Sequence, residues 1–368
     1  MKRRNILATL GLGVAGLMLA GCGAEEKAAT TTAAVQKAEQ QTYQWKLVTT
    51  WPKNFPGLGE APERFAKDVE RMSQGRLKIK VYGGGELVPP LEVFDAVSQG
   101  TAEAGHGAGY YWKGKVPAAQ FFSTVPFGLN AQEFNGWLHY GGGIELWREI
   151  YEPFGLVPFA GGNTGVQMGG WFNREINSVE DLKGLKMRIP GLGGEVLQRA
   201  GGTPVNLPGG EIFTALQTGT IDATEWVGPY NDLAFGLHKI AKFYYYPGWH
   251  EPGTALELII NKKALESLPA DLQAIVEVAA RAANQDLLDE YTARNNAALM
   301  ELVTQHGVQL KKFPDDVLNQ LQVISEQVVA EVAEKDPASQ KVYDSFKAFR
   351  DQVVQYHEIS EKAYINAR

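Results

Sequence analysis

The chain has 368 residues, 44% of them hydrophobic and 21% charged, so it is long enough to require more than one hydrophobic core. Its 35 basic and 42 acidic residues give a formal charge of −7. This balance, without a polybasic stretch, argues against nucleic acid as a partner, because nucleic-acid binding depends on cationic patches. The single cysteine excludes an intramolecular disulfide.

Residues 1–21 have the pattern of a lipoprotein signal peptide. Three basic residues at 2–4 precede an apolar run over 6–20 that is short for a membrane span. The run ends in Leu-Ala-Gly-Cys, which resembles a bacterial lipobox, so we expect cleavage before Cys22 and lipidation of its sulfur. This predicts a periplasmic or other extracytoplasmic protein with a lipid anchor. A free thiol or intermolecular bridge at Cys22 is the alternative, and the two arginines leave Sec and twin-arginine export both open.

Residues 22–43 are rich in Ala, Thr, Gln and Glu and lack an apolar period, which is typical of a flexible tether. We expect the folded domain to begin near Gln44 and to extend over 44–336. That length exceeds what one core usually serves, so the prediction is a domain of two lobes.

Strand-like and helix-like stretches alternate along this domain. The first series has strands at 45–51 and 77–84, helices at 62–75 and 90–100, and a small-residue segment at 102–109. The second series has strands at 155–163, 166–173, 185–190 and 203–208, with helices near 195–200 and 211–216. Two successive α/β series predict two lobes with largely parallel sheets and a central cleft, where ligands bind at the carboxyl ends of strands.

The stretch LKMRIPG (185–191) places Arg188 inside a short predicted strand. Three apolar residues alternate there with Lys186 and Arg188, as expected of a strand with one core face. On this pattern alone, Arg188 lies either on a solvated face or in the cleft, at the carboxyl end of its strand.

Signatures of catalysis are mostly missing from the sequence. The six histidines have no HExxH or zinc-ligand spacing, and no G-x-S-x-G nucleophile motif is present. The GLGG at 191–194 follows a strand and precedes a helix, but Val196 occupies the third glycine position of a dinucleotide-binding loop. We therefore interpret GLGG as a turn and helix start.

Three segments carry a resemblance to a known family. They read GGNTGVQM (161–168), DLKGLKMRIPG (181–191) and ALQTGTIDATEW (215–226). Together they resemble the solute-binding protein of a tripartite ATP-independent periplasmic (TRAP) transporter, with similarity over about 44–335. Gln167, the Glu-Trp at 225–226 and the WHEP at 249–252 resemble the branch that captures 2-oxo acids or related monocarboxylates together with a cation. The resemblance implies a two-lobed periplasmic binding protein-like fold, delivery to a TRAP permease, and no catalysis.

The resemblance also implies site residues. The family's counterpart of Arg188 forms a two-pronged salt bridge with the substrate carboxylate, for which the planar guanidinium is suited. The candidate ligand-binding set is Arg188, Gln167, Asn163, Tyr111 and Glu225. The candidate metal set is Gln167, Glu225, Trp226 through its carbonyl, and Glu251. These oxygen donors suit a group I or II cation; the charge count favours calcium, whereas the resemblance allows sodium.

Simpler interpretations remain open for several of these residues. Glu225 and Glu251 are in segments where solvated charges are common, and Tyr111 belongs to an aromatic cluster that is typical of packing. At the level of function, the alternative is a secreted metal-dependent lyase or isomerase acting on an oxo acid. A sensor subunit that uses the same pocket is a further possibility.

Residues 337–368 form a predicted long C-terminal helix with an apolar stripe. Val342, Phe346, Phe349, Val353 and Tyr356 recur at spacings of four and three. The stripe packs either on the chain's own lobes or, as the resemblance implies, on a second subunit in a homodimer.

Overall fold

The computed structural model describes residues 41–368, so the predicted signal peptide, Cys22 and most of the predicted tether lie outside the described residues. The strands are β1 (Tyr43–Thr49), β2 (Leu77–Tyr82), β3 (Ala104–Gly107), β4 (Leu156–Asn163), β5 (Gly170–Phe172), β6 (Lys186–Arg188), β7 (Thr203–Val205), β8 (Ala223–Thr224), β9 (Phe243–Tyr246), β10 (Ala255–Asn261) and β11 (Gln309–Lys312). The helices are α1 (Ala61–Met72), α2 (Val93–Ser98), α3 (Ala131–Tyr140), α4 (Gly143–Tyr151), α5 (Gly191–Arg199), α6 (Gly209–Gln217), α7 (Pro229–Phe235), α8 (Lys262–Glu266), α9 (Ala270–Thr304), α10 (Asp315–Ala333), α11 (Pro337–Ile359) and α12 (Glu361–Ala367). Strand β1 begins one residue before the predicted start at Gln44.

The strands form two sheets, one in each lobe. The first has the order β2-β1-β3-β10-β4 and the second β11-β9-β5-β8-β6-β7. Within the described residues, β10 alone runs against its neighbours in the first sheet, and β5 alone does so in the second. The predicted α/β class with largely parallel sheets is confirmed.

Residues 155–163 belong to a different lobe from the one expected. We expected this stretch to open the second lobe, but it forms β4, which pairs with β10 in the first sheet, and this corrects the prediction. The sequence pattern marks a strand without saying which sheet the strand joins, because pairing depends on contacts distant in sequence.

The chain crosses between the sheets three times. Segment 164–169 leads from β4 to β5, segment 247–254 leads from β9 to β10, and α9 leads back towards β11. Helix α9, 35 residues long, packs against α1 and β4 of the first lobe and against α7 of the second. The two reversed strands, β5 and β10, each follow a crossing segment directly. These two strands begin at the cleft and run away from it. The other strands end at the cleft, so β5 and β10 run in the opposite direction to their neighbours.

The predicted apolar stripe lies entirely on helix α11. Helix α11 packs against α3, α4 and α10, and Val342 and Phe346 are fully buried there. Phe349 and Val353 are partly buried against the same core, whereas Tyr356 is 65% exposed. Packing on the chain's own lobe therefore accounts for four of the five stripe residues, and Tyr356 is the one that stays mostly exposed. None of the helices in 41–368 is long and apolar enough to span a membrane.

Candidate functional site

The two short crossing segments lie side by side between the lobes. The Gln167 amide donates to the Glu251 carbonyl over 3.1 Å, and the Gly248 amide donates to the Gln167 carbonyl over 2.9 Å. At the first-lobe end, the Thr164 amide donates to the Thr254 carbonyl over 3.0 Å. This backbone ladder brings Gln167 and Glu251 together from positions 84 residues apart.

Arg188 ends β6 and points into the interior, because its side chain is only 1% exposed while Lys186 is exposed. The structure thus excludes the solvated-face interpretation. Helix α5 begins directly after Pro190, at Gly191, whose φ is +61°. A Cβ at Gly191 would lie 2.9 Å from Tyr110 Cβ, so this close approach requires glycine. The interpretation of GLGG as a turn and helix start is confirmed.

Every nitrogen of the Arg188 guanidinium has a partner. Nε donates to the Leu207 carbonyl over 3.2 Å, and NH2 donates to the Tyr111 hydroxyl over 3.0 Å. NH1 forms an ion pair with the Glu225 carboxylate. The guanidinium carbon lies 5.0 Å from the centre of the Trp226 ring, a cation–π distance. Tyr111 therefore reaches Arg188 across the cleft, which supports its candidate role over simple packing.

Glu225 is also 1% exposed, so it is not a solvated charge. One carboxylate oxygen pairs with Arg188, and the other lies 3.5 Å from His250 Nε2. That second oxygen has no hydrogen-bond partner within the described residues. A buried carboxylate oxygen left in this way is suited to a ligand or cation.

Glu251 lies in a second buried polar group on the crossing segments. Its carboxylate accepts hydrogen bonds from the side-chain nitrogen of Gln167, over 2.7 Å, and from the Thr254 hydroxyl. Burial, and then the negative charge of Glu225, raises the pKa of the Glu251 carboxyl well above its usual range. A positive charge placed here would relieve that cost. The solvated interpretation of Glu251 is therefore wrong.

Aromatic and aliphatic side chains from both lobes enclose a small cavity beside Arg188. The residues that line it are Trp51, Leu58, Tyr110, Tyr111, Thr164, Gln167, Arg188, Trp226, Val227, Thr254 and Leu256. The enclosed volume is about 10 Å³, room for about one water molecule. A small organic ligand therefore requires these walls to separate.

Asn163 does not line this cavity. It is buried at the end of β4, and its side-chain oxygen accepts a hydrogen bond from the Gly165 amide over 2.9 Å. The oxygen holds the turn that opens segment 164–169, whereas the buried Nδ2 lacks a hydrogen-bond partner within the described residues, so the ligand contact of Asn163 stays a prediction.

Sequence reasoning missed two histidines near the site. His250 is 1% exposed, and neither ring nitrogen has a hydrogen-bond partner in the described part of the chain. His106 accepts from Trp51 Nε1 over 2.8 Å and donates to the Gly161 carbonyl over 3.1 Å, which orients the cavity-lining indole. Burial lowers the pKa of His106 to about 4, so it is neutral. The only available signal was the position of His250 beside Glu251.

The site fits a cation. Glu225, His250 and Glu251 offer donor atoms that all lie within 4.8 Å of one another. Within residues 41–368, the Gln167 side-chain oxygen also lacks a partner. Three of the four predicted metal ligands thus contribute to one buried cluster, and the ring of the fourth, Trp226, lines the adjoining cavity. Buried acidic groups of this kind require a compensating positive charge.

Comparison with known proteins identifies the family of this chain. The family of bacterial extracellular solute-binding proteins, family 7, matches residues 47–336. A monocarboxylate 2-oxoacid-binding periplasmic protein of Nostoc sp. is 46% identical over 366 residues, which cover 100% of this chain and 98% of the relative.

Solved TRAP periplasmic solute-binding proteins are similar throughout the fold. Those of Pseudoalteromonas atlantica, with sodium and pyruvate, and Colwellia psychrerythraea, with calcium and pyruvate, are each 46% identical, with a TM-score of 0.87. Each match covers 89% of this chain and 100% of the other. A dimeric relative from Bordetella bronchiseptica, with calcium and picolinate, is 39% identical with a TM-score of 0.87, covering 89% and 97%. This chain therefore belongs to family 7 of the bacterial extracellular solute-binding proteins, the solute-binding proteins of TRAP transporters.

Proposed function

We propose that this protein captures a small 2-oxo carboxylate such as pyruvate, or a related hydroxy acid, together with a metal cation, and delivers it to a TRAP permease. The observation that carries the proposal is Arg188, a fully buried guanidinium at the wall of the cavity between the lobes. Its planar fork matches a carboxylate with two parallel hydrogen bonds. The relatives with bound pyruvate support the same ligand class.

The cavity size supports a small ligand and a hinged mechanism. The aromatic walls exclude water, which strengthens an ion pair inside. Because the cavity now has space for about one water molecule, entry requires the lobes to separate and exit requires them to reopen. A ligand stabilises the closed form only by binding it more tightly than the open form.

Gln167, Glu225 and Glu251 would hold the cation, with the Trp226 carbonyl as a further oxygen donor. When bound, the cation supplies the positive charge that two glutamates and a ligand carboxylate need beyond Arg188. Relatives with sodium and with calcium support either ion. We include Tyr111 as a ligand-side residue because its hydroxyl already contacts Arg188.

We infer no catalysis, since the family consists of extracellular solute-binding proteins. The comparisons support solute binding and give no support to the lyase or isomerase alternative. Export by the 1–21 signal and a lipid on Cys22 would keep the protein at the outer face of the membrane, near its permease.

A binding experiment tests this proposal. The purified protein is equilibrated with pyruvate and calcium, then denatured, and the released compound and metal are identified by mass spectrometry. Intact pyruvate in one-to-one ratio with protein is the expected result. Conversion of pyruvate to another compound would instead support an enzyme, and no retained carboxylate with either calcium or sodium would reject the proposed ligand class.

We further propose a homodimer that uses Tyr356, the exposed residue of the apolar stripe, together with exposed apolar residues that follow it. Tyr356 is 65% exposed and Ile359 is 77% exposed, and Tyr364 of α12 is also exposed. Because Val342 and Phe346 are needed in the chain's own core, substitution is a better test than deletion of 337–368. We expect Tyr356→Ser with Ile359→Ser to convert a dimer to a monomer in light scattering. A wild-type monomer at micromolar concentration would contradict the proposal.

A further inference from the structure

The Arg188 guanidinium is already satisfied by the protein's own groups. Its NH1 is paired with Glu225 and its NH2 with the Tyr111 hydroxyl. These two nitrogens form the edge that a ligand carboxylate would use for two parallel hydrogen bonds. A ligand carboxylate must therefore displace Glu225, a carboxylate of the same kind, before it can use this edge.

The second carboxylate oxygen of Glu225 faces the candidate cation site. It lacks a hydrogen-bond partner within the described residues and lies 3.5 Å from His250 Nε2. This oxygen belongs to the cluster in which Glu225, His250 and Glu251 present donor atoms within 4.8 Å of one another. The same side chain thus connects the carboxylate-binding group to the candidate cation site.

From this geometry we propose that Glu225 is a resident substitute for the ligand carboxylate on Arg188, and that cation binding draws it away so that Arg188 can accept the ligand. The proposal rests on the proposed function, since it concerns the same site. The two binding events are coupled through one side chain, because one Glu225 oxygen pairs with Arg188 and the other faces the cation cluster.

The charges around Glu225 explain why the exchange needs the cation. If a carboxylate displaced Glu225 without a cation, two negative groups would share one guanidinium in a buried site, which is strongly unfavourable. With a cation at the cluster, Glu225 moves to a positive partner, and the ligand takes its place on Arg188. Coupling of this kind is reciprocal, so the ligand also tightens cation binding.

The decisive variant is Glu225→Gln, because the proposal predicts that it raises pyruvate affinity without a cation and lowers it with one. In metal-stripped tetramethylammonium buffer containing a chelator, this variant should bind pyruvate at least tenfold more tightly than the wild type. With saturating calcium, it should bind pyruvate at least tenfold more weakly than the wild type. Loss of a cation ligand by itself predicts only the second of these effects.

The matched control is Glu251→Gln, a buried carboxylate of the same cluster for which the structure gives no hydrogen bond to Arg188 among the described residues. It should weaken calcium binding without tightening pyruvate binding in the metal-stripped buffer. An equal gain in both variants would mean that removal of any negative charge suffices, and would overturn the proposal. Circular dichroism and thermal melting verify that both variants fold.

A second measurement uses the wild type alone. Stopped-flow tryptophan fluorescence follows pyruvate binding, since Trp51 and Trp226 line the cavity. Pyruvate should bind faster to protein pre-incubated with calcium than when both are added together. Equal rates, with no gain in Glu225→Gln, would overturn the inference while leaving the proposed function intact. Absence of pyruvate binding by wild type with calcium or sodium would instead reject the proposed function itself.

Discussion

Two buried carboxylates, Asp232 in the second lobe and Glu225 in the cleft, differ in whether both of their oxygens accept hydrogen bonds. Asp232 accepts from Trp171 Nε1 over 2.9 Å and from the Tyr244 hydroxyl over 2.7 Å on one oxygen, and from the Val227 amide over 3.3 Å on the other. In the cleft, one oxygen of Glu225 has no such donor in the described residues. A buried carboxylate with all its partners supports the fold, whereas one left incomplete beside a cavity indicates a binding site.

The largest expected effect tests the cleft side of this comparison. Arg188→Ala should leave a buried anion without its partner, at a cost of about 3–5 kcal/mol, so pyruvate binding should weaken by hundreds-fold or more. Arg188→Lys retains the charge but loses the planar fork, and should recover only part of the affinity. Calorimetry with calcium present measures both. Affinity for Arg188→Ala within about threefold of the wild type would mean that Arg188 does not bind the ligand.

Asp232 tests the structural side. Burial raises the pKa of Asp232 to about 7, above its value of 3.8 in an unfolded chain. The folded state therefore holds this proton more tightly, and its stability falls as pH rises from about 4 through 7, by roughly 2–4 kcal/mol. The wild type should lose stability relative to Asp232→Asn over this range in urea denaturation. A constant difference between the two proteins at pH 4.5 and pH 8 would contradict the assignment.

Substitution of the proposed cation ligands should have the next largest effect. With calcium present, Glu225→Gln and Glu251→Gln should each weaken calcium binding by about tenfold or more, because each removes a carboxylate ligand from a buried cluster. Pyruvate affinity should fall in parallel, since the two bound species are coupled. Titration of metal-stripped wild type provides the reference. If pyruvate binds it equally well with and without calcium or sodium, the cation has no part in recognition.

Tyr111→Phe should have the smallest effect. It removes the hydroxyl that accepts from Arg188 NH2 but keeps the aromatic wall, so the expected loss is about 1 kcal/mol, or roughly fivefold in pyruvate affinity. Calorimetry at pH 6 measures the pyruvate affinity of Tyr111→Phe and of Asp232→Asn, a buried substitution away from the cavity. A loss in Tyr111→Phe alone is due to this contact and not to a general loss of packing. A hundredfold loss would place Tyr111 in direct contact with the ligand.

The fold class was predictable from sequence because it depends on short-range patterns, and so was the helix start at Gly191, which the GLGG stretch marks. The burial of Arg188 was not predictable in this way, because the alternation around it left a solvated face and the cleft both open, and the family resemblance decided between them. The assignment of 155–163 to the wrong lobe shows the limit of that approach. Which sheet accepts a strand depends on a partner, β10, that lies about a hundred residues away.

The site residues were predictable to different degrees. Gln167 in an apolar segment indicated a buried amide with partners, and the structure places it against Glu251. His250 gave no usable pattern, because a lone histidine in a loop has no spacing to interpret. Asn163 was expected to contact ligand; its side-chain oxygen accepts from the backbone amide two residues ahead, and its Nδ2 has no partner within the described residues. A local turn of this kind competes with a binding role, and sequence alone does not distinguish the two.

The crossing segments that join the lobes also supply the polar groups of the site, and this has a consequence for engineering. Gln167 and Glu251 are hydrogen-bonded to each other through both backbone and side chain, so the segments that join the lobes and the ion cluster are one piece of structure. A change of ion radius or charge would then alter how long the protein stays shut, in addition to how tightly it binds. Attempts to retune residence time through these segments would change ion preference as well, whereas helix α9, which spans both lobes without contributing to the cavity lining, offers a separate handle.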